Sequence, residues 1–192
     1  LDISLDQIVI SATKWHQTNS EIPSKISTIT PKDVEFYNPQ TTADLLSISG
    51  DVYIQKSQQG GGSPMLRGFA TNRVLISVDG IRMNNAIFRS GNVQNVISLD
   101  PFSIENTEIL FGPGSIIYGS DAIGGSMNFY TFTPQFSHSG VSHIKGSANY
   151  RFSSANKENT GHFDINAGWK NFALVTSFSF TSYSDLMMGS NG

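Results

Sequence analysis

The 192-residue chain has no cysteine. Its fold therefore uses no disulfide staple and no thiolate site, which suits an envelope protein and many cytosolic ones alike. Charge is also scarce: Lys, Arg, Asp and Glu make up 14% of the residues and the net charge is −3. That balance gives no basic footprint for nucleic acid and no polybasic patch for a membrane surface. No apolar run approaches the ~18 residues of a membrane helix, so any passage through a bilayer must use strands. No apolar signal region opens the chain, so an exported protein would be read here in mature form. The length is enough for one full domain with its own core.

The pattern changes near Pro134. Before it, short helix and strand signals alternate with turns. Ile26–Thr30 reads as a strand, and Thr30 with Pro31 as the start of a short helix. Thr42–Ser47 reads as a second helix, capped by Thr41 or Thr42. Val52–Gln55, Val74–Val78, Ile104–Leu110 and Ser126–Tyr130 read as strands. The three glycines within Gln58–Pro64 indicate a loop. Asp79-Gly80 is a hairpin signal, because both central positions of a type I′ turn need positive φ. Pro113–Tyr118 gives one or two helical turns ended by Gly119. The expected fold is a small mixed α+β domain.

After Pro134 the chain alternates with period two. In Val141–Phe152, Ile144, Gly146, Ala148, Tyr150 and Phe152 share one face; His143, Lys145, Ser147, Asn149 and Arg151 share the other. His162–Lys170 sets Phe163, Ile165, Ala167 and Trp169 against His162, Asp164, Asn166 and Lys170. In Asn171–Ser182, Phe172, Leu174, Phe178 and Phe180 oppose Ser177, Ser179 and Thr181. Each run is near the ~9–11 residues of a tilted membrane strand. Such alternation also fits a half-buried soluble sheet. Aromatics ending the apolar face and charges on the other favour a transmembrane β-barrel wall. The eight residues Ser153–Thr160, polar but for Ala155, suggest a long outer loop and Lys170-Asn171 a short inner turn, so the first strand is expected to run outward. Three strands cannot close a barrel, and an open edge is not tolerated in lipid. The chain is therefore expected to be a fragment, the rest of ~22 strands lying downstream or in a second chain.

Arg67-Gly68, then Arg73 to Asn84 around Asp79-Gly80, then Phe111-Gly112-Pro113-Gly114-Ser115 and Tyr118-Gly119-Ser120-Asp121-Ala122-Ile123-Gly124-Gly125 form an ordered series. In order and spacing it resembles the plug domain of TonB-dependent outer-membrane receptors, gated barrels that take up scarce nutrients. The resemblance covers most of the chain. It implies residues 1–14 as a TonB-box segment, 15–134 as the plug, and 135–192 as the first three strands of an incomplete barrel.

The resemblance also implies sites. Asp6, Gln7, Ile8, Val9, Ile10, Ser11 and Ala12 resemble the TonB box, which pairs as an added strand with the periplasmic energy-coupling protein TonB; a β-prone run near a free terminus suits that mode. Arg67 occupies the Leu-Arg-Gly position whose arginine pairs with barrel-wall glutamates, which here would lie beyond residue 192. Phe111 stands where Arg commonly precedes Gly-Pro, and Asn106 where Arg follows Ile-Glu. Those departures put one usual plug–wall pair in doubt, with apolar packing as its replacement. Two stretches resemble apical ligand loops: Gln58–Pro64, with Gln58, Gln59 and Ser63, and Asn84–Asn95, with Asn84, Asn85, Phe88, Arg89, Asn92, Gln94 and Asn95. Amides, one cation and an aromatic can bond and stack on a polar ligand. The same residues also suit solvated loops that satisfy their own turns.

Gln58–Ser63 is glycine-rich but lacks the Gly-Lys-Ser/Thr ending and the Gly-x-Gly-x-x-Gly spacing of nucleotide loops. His16, His138, His143 and His162 have no metal-ligand spacing. Neither a Ser-His-Asp set nor a carboxylate pair stands out, so no catalytic residue, metal or cofactor is expected. The reading is an outer-membrane importer in a Gram-negative cell, taking an iron chelate, haem or corrinoid. Its partners are TonB, the small-molecule ligand, outer-membrane lipid and the remaining barrel of the same receptor, with no nucleic acid. The competing reading is a soluble periplasmic or surface binding module without transport, whose second half would pack as a soluble sheet.

Overall fold

The computed structural model describes residues 8–9, 17–18, 24–58, 61–70, 73–83, 96, 99–137 and 141–185. The chain divides into two units, 1–131 and 132–192.

In the first unit, local chemistry sets the element boundaries. β1 (Ile8–Val9) pairs antiparallel with β2 (Gln17–Thr18). β3 (Ile26–Ile29) leads into α1 (Pro31–Tyr37). Pro31 sits where a helix needs no N–H, and the Asp33 carboxylate accepts from the Thr30 N–H at 2.8 Å and its hydroxyl at 2.7 Å. α2 (Thr42–Ser47) is capped by Thr41, whose hydroxyl accepts from the Asp44 N–H at 3.2 Å. β4 (Val52–Gln58) and β5 (Gly61–Leu66) form a hairpin with a bulge between Lys56 and Gln58. β6 (Val74–Val78) turns at Asp79 (φ 50°) and Gly80 (φ 78°) into β7 (Ile81–Arg82). A 3-10 turn at Pro101–Ser103 precedes β8 (Ile104–Phe111). α3 (Ser115–Tyr118) and a 3-10 turn at Ser120–Ala122 then lead to β9 (Gly125–Thr131).

The hairpin corrects one expectation. Gly61–Pro64, expected as part of a loop, is strand, and Pro64 lies opposite Ile54. A two-stranded ribbon leaves one edge open, where a proline costs no ladder bond. Gly62 serves packing: a Cβ there would sit 2.6 Å from Ile54 Cγ2 and 2.9 Å from Ala43 Cβ.

Five strands form one sheet in the order β3-β8-β9-β6-β7, with β6 parallel to β9 and the other pairs antiparallel. One face carries Ile29, Ile109, Met127, Phe129, Val74 and Ile76; with Val34, Leu45, Leu46, Val52 and Leu66 from the helices and hairpin they make a single core. Burying each such side chain contributes about 1.5–3 kcal/mol.

In the second unit, β10 (His143–Ser153), β11 (Glu158–Gly168) and β12 (Ala173–Ser182) form an antiparallel meander of 11, 11 and 10 residues. The register stacks Ala148, Phe163 and Phe178 on one face, and Ser147, Asp164 and Ser177 on the other. The expected long connection at Ser153–Thr160 is corrected. Ser153 pairs with Glu158, leaving a four-residue turn. Glu158 and Thr160 are polar because they lie on the polar strand face, not because they are loop. The other turn closes on Lys170-Asn171, where the Trp169 N–H donates to the Phe172 carbonyl at 2.7 Å. By the same measure Gly168 pairs with Ala173 and also leaves four residues, so the length contrast behind the inferred strand direction disappears.

Leu46 is fully buried in the core of the first unit. Leu46→Ala should lower the unfolding free energy of this unit by about 2–5 kcal/mol, read from urea denaturation of the intact protein; a loss below about 1 kcal/mol would contradict this core.

Candidate functional site

Among the residues expected to meet a ligand, Ser63 is placed differently. It lies within β5 and is 3% exposed, so it is corrected from a ligand contact to a packed strand residue. Gln58 ends β4 beside the hairpin tip. Gln59 and the stretch Asn84, Asn85, Phe88, Arg89, Asn92, Gln94 and Asn95 lie outside the described residues. Within the segment that resembles a TonB box only Ile8 and Val9 are described, in β1, while Asp6, Gln7, Ile10, Ser11 and Ala12 lie outside. Ile8 pairs with Thr18 and Val9 with Gln17.

Arg67 occupies a tight turn. Leu66 and Phe69 exchange backbone bonds at 2.9 and 2.8 Å, and the central residues Arg67 and Gly68 have φ of 48° and 85°. A type I′ turn favours Asn, Asp or Gly at both positions; a non-glycine in this region costs on the order of 1–3 kcal/mol. Arg67 is exposed, and its guanidinium carbon lies 5.5 Å from the Phe111 ring centroid. It has no acidic partner among the described residues.

The second face of the five-stranded sheet holds a polar row that sequence reading missed. Thr28, Glu108, Asn128, Ser77 and Arg82 stand opposite one another, one per strand. Glu108, Asn128 and Ser77 are buried. The Ser77 hydroxyl donates to Asn128 Oδ1 at 2.6 Å, and Asn128 Nδ2 donates to Ser126 Oγ at 3.1 Å. Arg82 pairs with Asp121. The Asp79 carboxylate accepts from the Thr131 N–H at 2.9 Å and its hydroxyl at 2.8 Å, tying the β6–β7 turn to the end of β9. The available signal was a polar residue beside apolar ones within a strand: Asn128 between Met127 and Phe129, and Glu108 directly before Ile109-Leu110-Phe111.

A cavity of about 630 Å³ opens on this face, lined among others by Ser77, Arg82, Tyr118, Asn128 and Tyr130. Its volume falls in the range of small-molecule sites. Burial first and the Glu108 carboxylate second push the Tyr118 hydroxyl up to about 12. The same two causes, with Tyr118 and Asp79 adding to them, raise Tyr130 as well. Both phenols stay protonated at neutral pH and can donate hydrogen bonds.

On the second unit, the polar face is a connected network. Glu158 takes a pair with Arg151 and accepts from Asn156 Nδ2 at 3.2 Å and the Thr160 hydroxyl at 2.9 Å. His162 Nδ1 lies 2.6 Å from Ser179 Oγ, and Ser147 donates to Asp164. The opposite face leaves Ile144, Tyr150, Phe152, Phe163, Phe178 and Phe180 exposed, each 48% or more. Trp169 and Phe172 stack at 5.7 Å beside the short turn. Charged groups paired on one face and bare oil on the other is the sidedness of a barrel wall between lipid and a wet lumen. His143 and His162 both lie on the polar face; His16 and His138 lie outside the described residues. No cluster able to hold a metal occurs among the described residues.

The family model of the TonB-dependent Receptor Plug Domain matches residues 18–126. The chain belongs to this family. Among curated proteins it is 34% identical over 142 residues to a vitamin B12 transporter, BtuB, of Vibrio vulnificus strain CMCP6, covering 71% of this chain and 22% of the relative. The corresponding protein of strain YJ016 is 34% identical over 129 residues, 66% of this chain and 20% of the relative. The chain thus spans about a fifth of the length of these relatives. Among solved structures, the copper transporter OprC superposes with a TM-score of 0.71 at 20% identity, covering 83% of this chain and 24% of that one. The alcaligin outer-membrane receptor FauA of Bordetella pertussis gives 0.65 at 17%, covering 90% and 29%. The fold is that of a plug followed by the opening antiparallel strands of a barrel, and its setting is the Gram-negative outer membrane.

The plug's phenols give a pH test. A folded pKa above the unfolded value of 10.0 means the native state holds the proton longer. The associated stability is present below pH 10 and is lost as pH rises toward 12. Ultraviolet titration of the intact protein should find Tyr118 ionising near pH 12. Glu108→Gln should bring that value down, though not to 10.0, because burial is the larger cause. Ionisation of Tyr118 at the ordinary value in the unsubstituted protein would refute the buried polar face.

Proposed function

We propose that the chain forms the plug and first wall strands of an energy-coupled importer whose ligand is a large metal chelate, a corrinoid before an iron chelate or haem. The observation that carries the ligand class is the 34% identity to vitamin B12 transporters over most of this chain. The likenesses to iron-chelate receptors lie at 15–22% and speak for the fold alone.

In this reading, ligand meets the stretches 58–59 and 84–95 on the outer side of the plug. Residues 6–12 offer a strand to TonB on the periplasmic side, adding main-chain bonds at an edge. Ile8–Val9 already pairs with Gln17–Thr18 over two residues only, a contact small enough to exchange for a partner strand. Force on that segment then rearranges the plug, whose strands of two to eight residues can open locally at low free-energy cost. Domain limits of 1–14, 15–134 and 135–192 belong to this proposal. No step of it calls for catalysis, and the role is transport rather than turnover.

The test uses the full receptor in cells. Deleting Asp6 through Ala12 should abolish accumulation of labelled vitamin B12 while surface binding persists. Loss of binding together with uptake would place those residues in the ligand site instead. Uptake of ferric siderophores, but not of corrinoid, by the unaltered receptor would move the ligand class to iron.

A further inference from the structure

Phe111 receives two cations. Lys25 Nζ lies 5.3 Å and the Arg67 guanidinium carbon 5.5 Å from its ring centroid. Both are within the ~6 Å over which a cation is attracted to an aromatic ring. The ring itself is 4% exposed and belongs to the plug core, so its position is fixed by packing. Its N–H also donates to the Lys25 carbonyl at 3.0 Å, which registers the two residues on their backbones.

The cations differ. Lys25 is bound to Asp51 at 2.7 Å, so its charge is answered within the plug. Arg67 is exposed and has no such answer among the described residues. It nevertheless sits at a turn position that disfavours it. An arginine held in a strained turn, with five donors and no carboxylate, is disposed to meet one from outside the plug.

The approach of turn to ring is built by glycines. A Cβ on Gly125 would come 2.8 Å from Leu66 Cδ1, and one on Gly124 would meet the Phe69 side chain. Leu66 and Phe69 are the two ends of the Arg67 turn. Without side chains at 124 and 125, that turn seats against the start of β9, next to Phe111, which pairs with Gly125.

We propose that Phe111 is a positioning residue: its ring holds the Arg67 guanidinium in one orientation, presented to a carboxylate on the part of the receptor outside this chain. A neutral ring thus does the work of orienting Arg67 without adding a second positive charge beside it. The proposal rests on the reading of Arg67 as a plug–wall contact.

The experiment is a double-substitution cycle in the full-length receptor. Exchange of the Phe69 amide hydrogen, which closes the turn onto Leu66, is the readout. An exposed cation–π contact is worth about 0.5–1 kcal/mol, or about two- to five-fold in an equilibrium. Phe111→Leu and Arg67→Gln should each speed exchange by about that factor, and the double substitution by no more than either alone. Phe111→Trp should keep exchange slow, which loss of generic packing would not explain. Multiplying effects in the double variant would overturn the proposal. Should Phe111→Leu fail to fold, Arg67→Gln at its exposed position carries the test, and unchanged Phe69 exchange overturns it. A separate measurement isolates the wall contact: Arg67→Gln should lower the salt sensitivity of plug denaturation in the full receptor. Coupling without that change would uphold the aromatic seat and refute the wall contact.

Discussion

Register is the constraint on which both units depend. A strand puts successive side chains on opposite faces, so sliding one strand by a single residue inverts every side chain it carries. In the second unit such a slip would set Glu158, His162 and Asp164 among Phe178, Phe180 and Tyr150. The charged groups would lose Arg151 and Ser147, cross-strand partners they hold only in the observed register. Each unmet buried group costs about 1–3 kcal/mol or more, far above the cost of shifting a turn. The hydrogen-bonded network on the polar face therefore fixes the alignment that exposes the oil on the other.

The five-stranded sheet follows the same rule with a different result. Its first face is apolar and closes on the helices and hairpin. Its second face carries Thr28, Glu108, Asn128, Ser77 and Arg82 across all five strands. A sheet greasy on both faces would be held by apolar burial throughout, which is non-directional and tolerant of sliding. A polar bond is directional: Ser77 to Asn128 fixes β6 against β9 in one alignment and is given up readily when water can replace it. Such a sheet is well defined at rest yet separable strand by strand, a property that suits the proposed role of a plug displaced by force.

How far the sequence could be read follows from where each signal is local. Pro31 after Thr30, Asp79-Gly80 and the alternation after Pro134 carry their structural meaning within a few residues, and the elements lie close to where those signals put them. The errors share one cause. Glycine and proline punctuate local structure and point to a loop over Gln58–Pro64, yet Gly61–Pro64 is strand and Gly62 is there to let Ile54 and Ala43 approach from other elements. Glu158 and Thr160 were read as loop because they are polar, yet they serve a cross-strand network that only pairing creates. The row through Glu108 was invisible for the same reason: one polar residue per strand becomes a feature only once five strands are laid side by side. Among the candidate sites, resemblance singles out Arg67 as a wall contact, the reading on which the proposal above rests. Its seat was not, because Phe111 is 44 positions along the chain and looked like the loss of a charge.

That last substitution bears on how a plug can be held and still released. Two arginines side by side would repel each other unless acids faced both, so the contact would depend wholly on the wall. A ring beneath one arginine keeps the cation oriented whether or not the wall is present. Orientation already imposed before contact lowers the entropy lost on making it. The strain stored at φ 48° acts in the opposite sense, since it is relieved as soon as the turn opens. The strain is on the order of 1–3 kcal/mol and the ring contact about 0.5–1 kcal/mol. The ring therefore offsets at most part of the strain, and in the proposed arrangement what keeps the plug seated is the carboxylate that Arg67 would meet outside this chain.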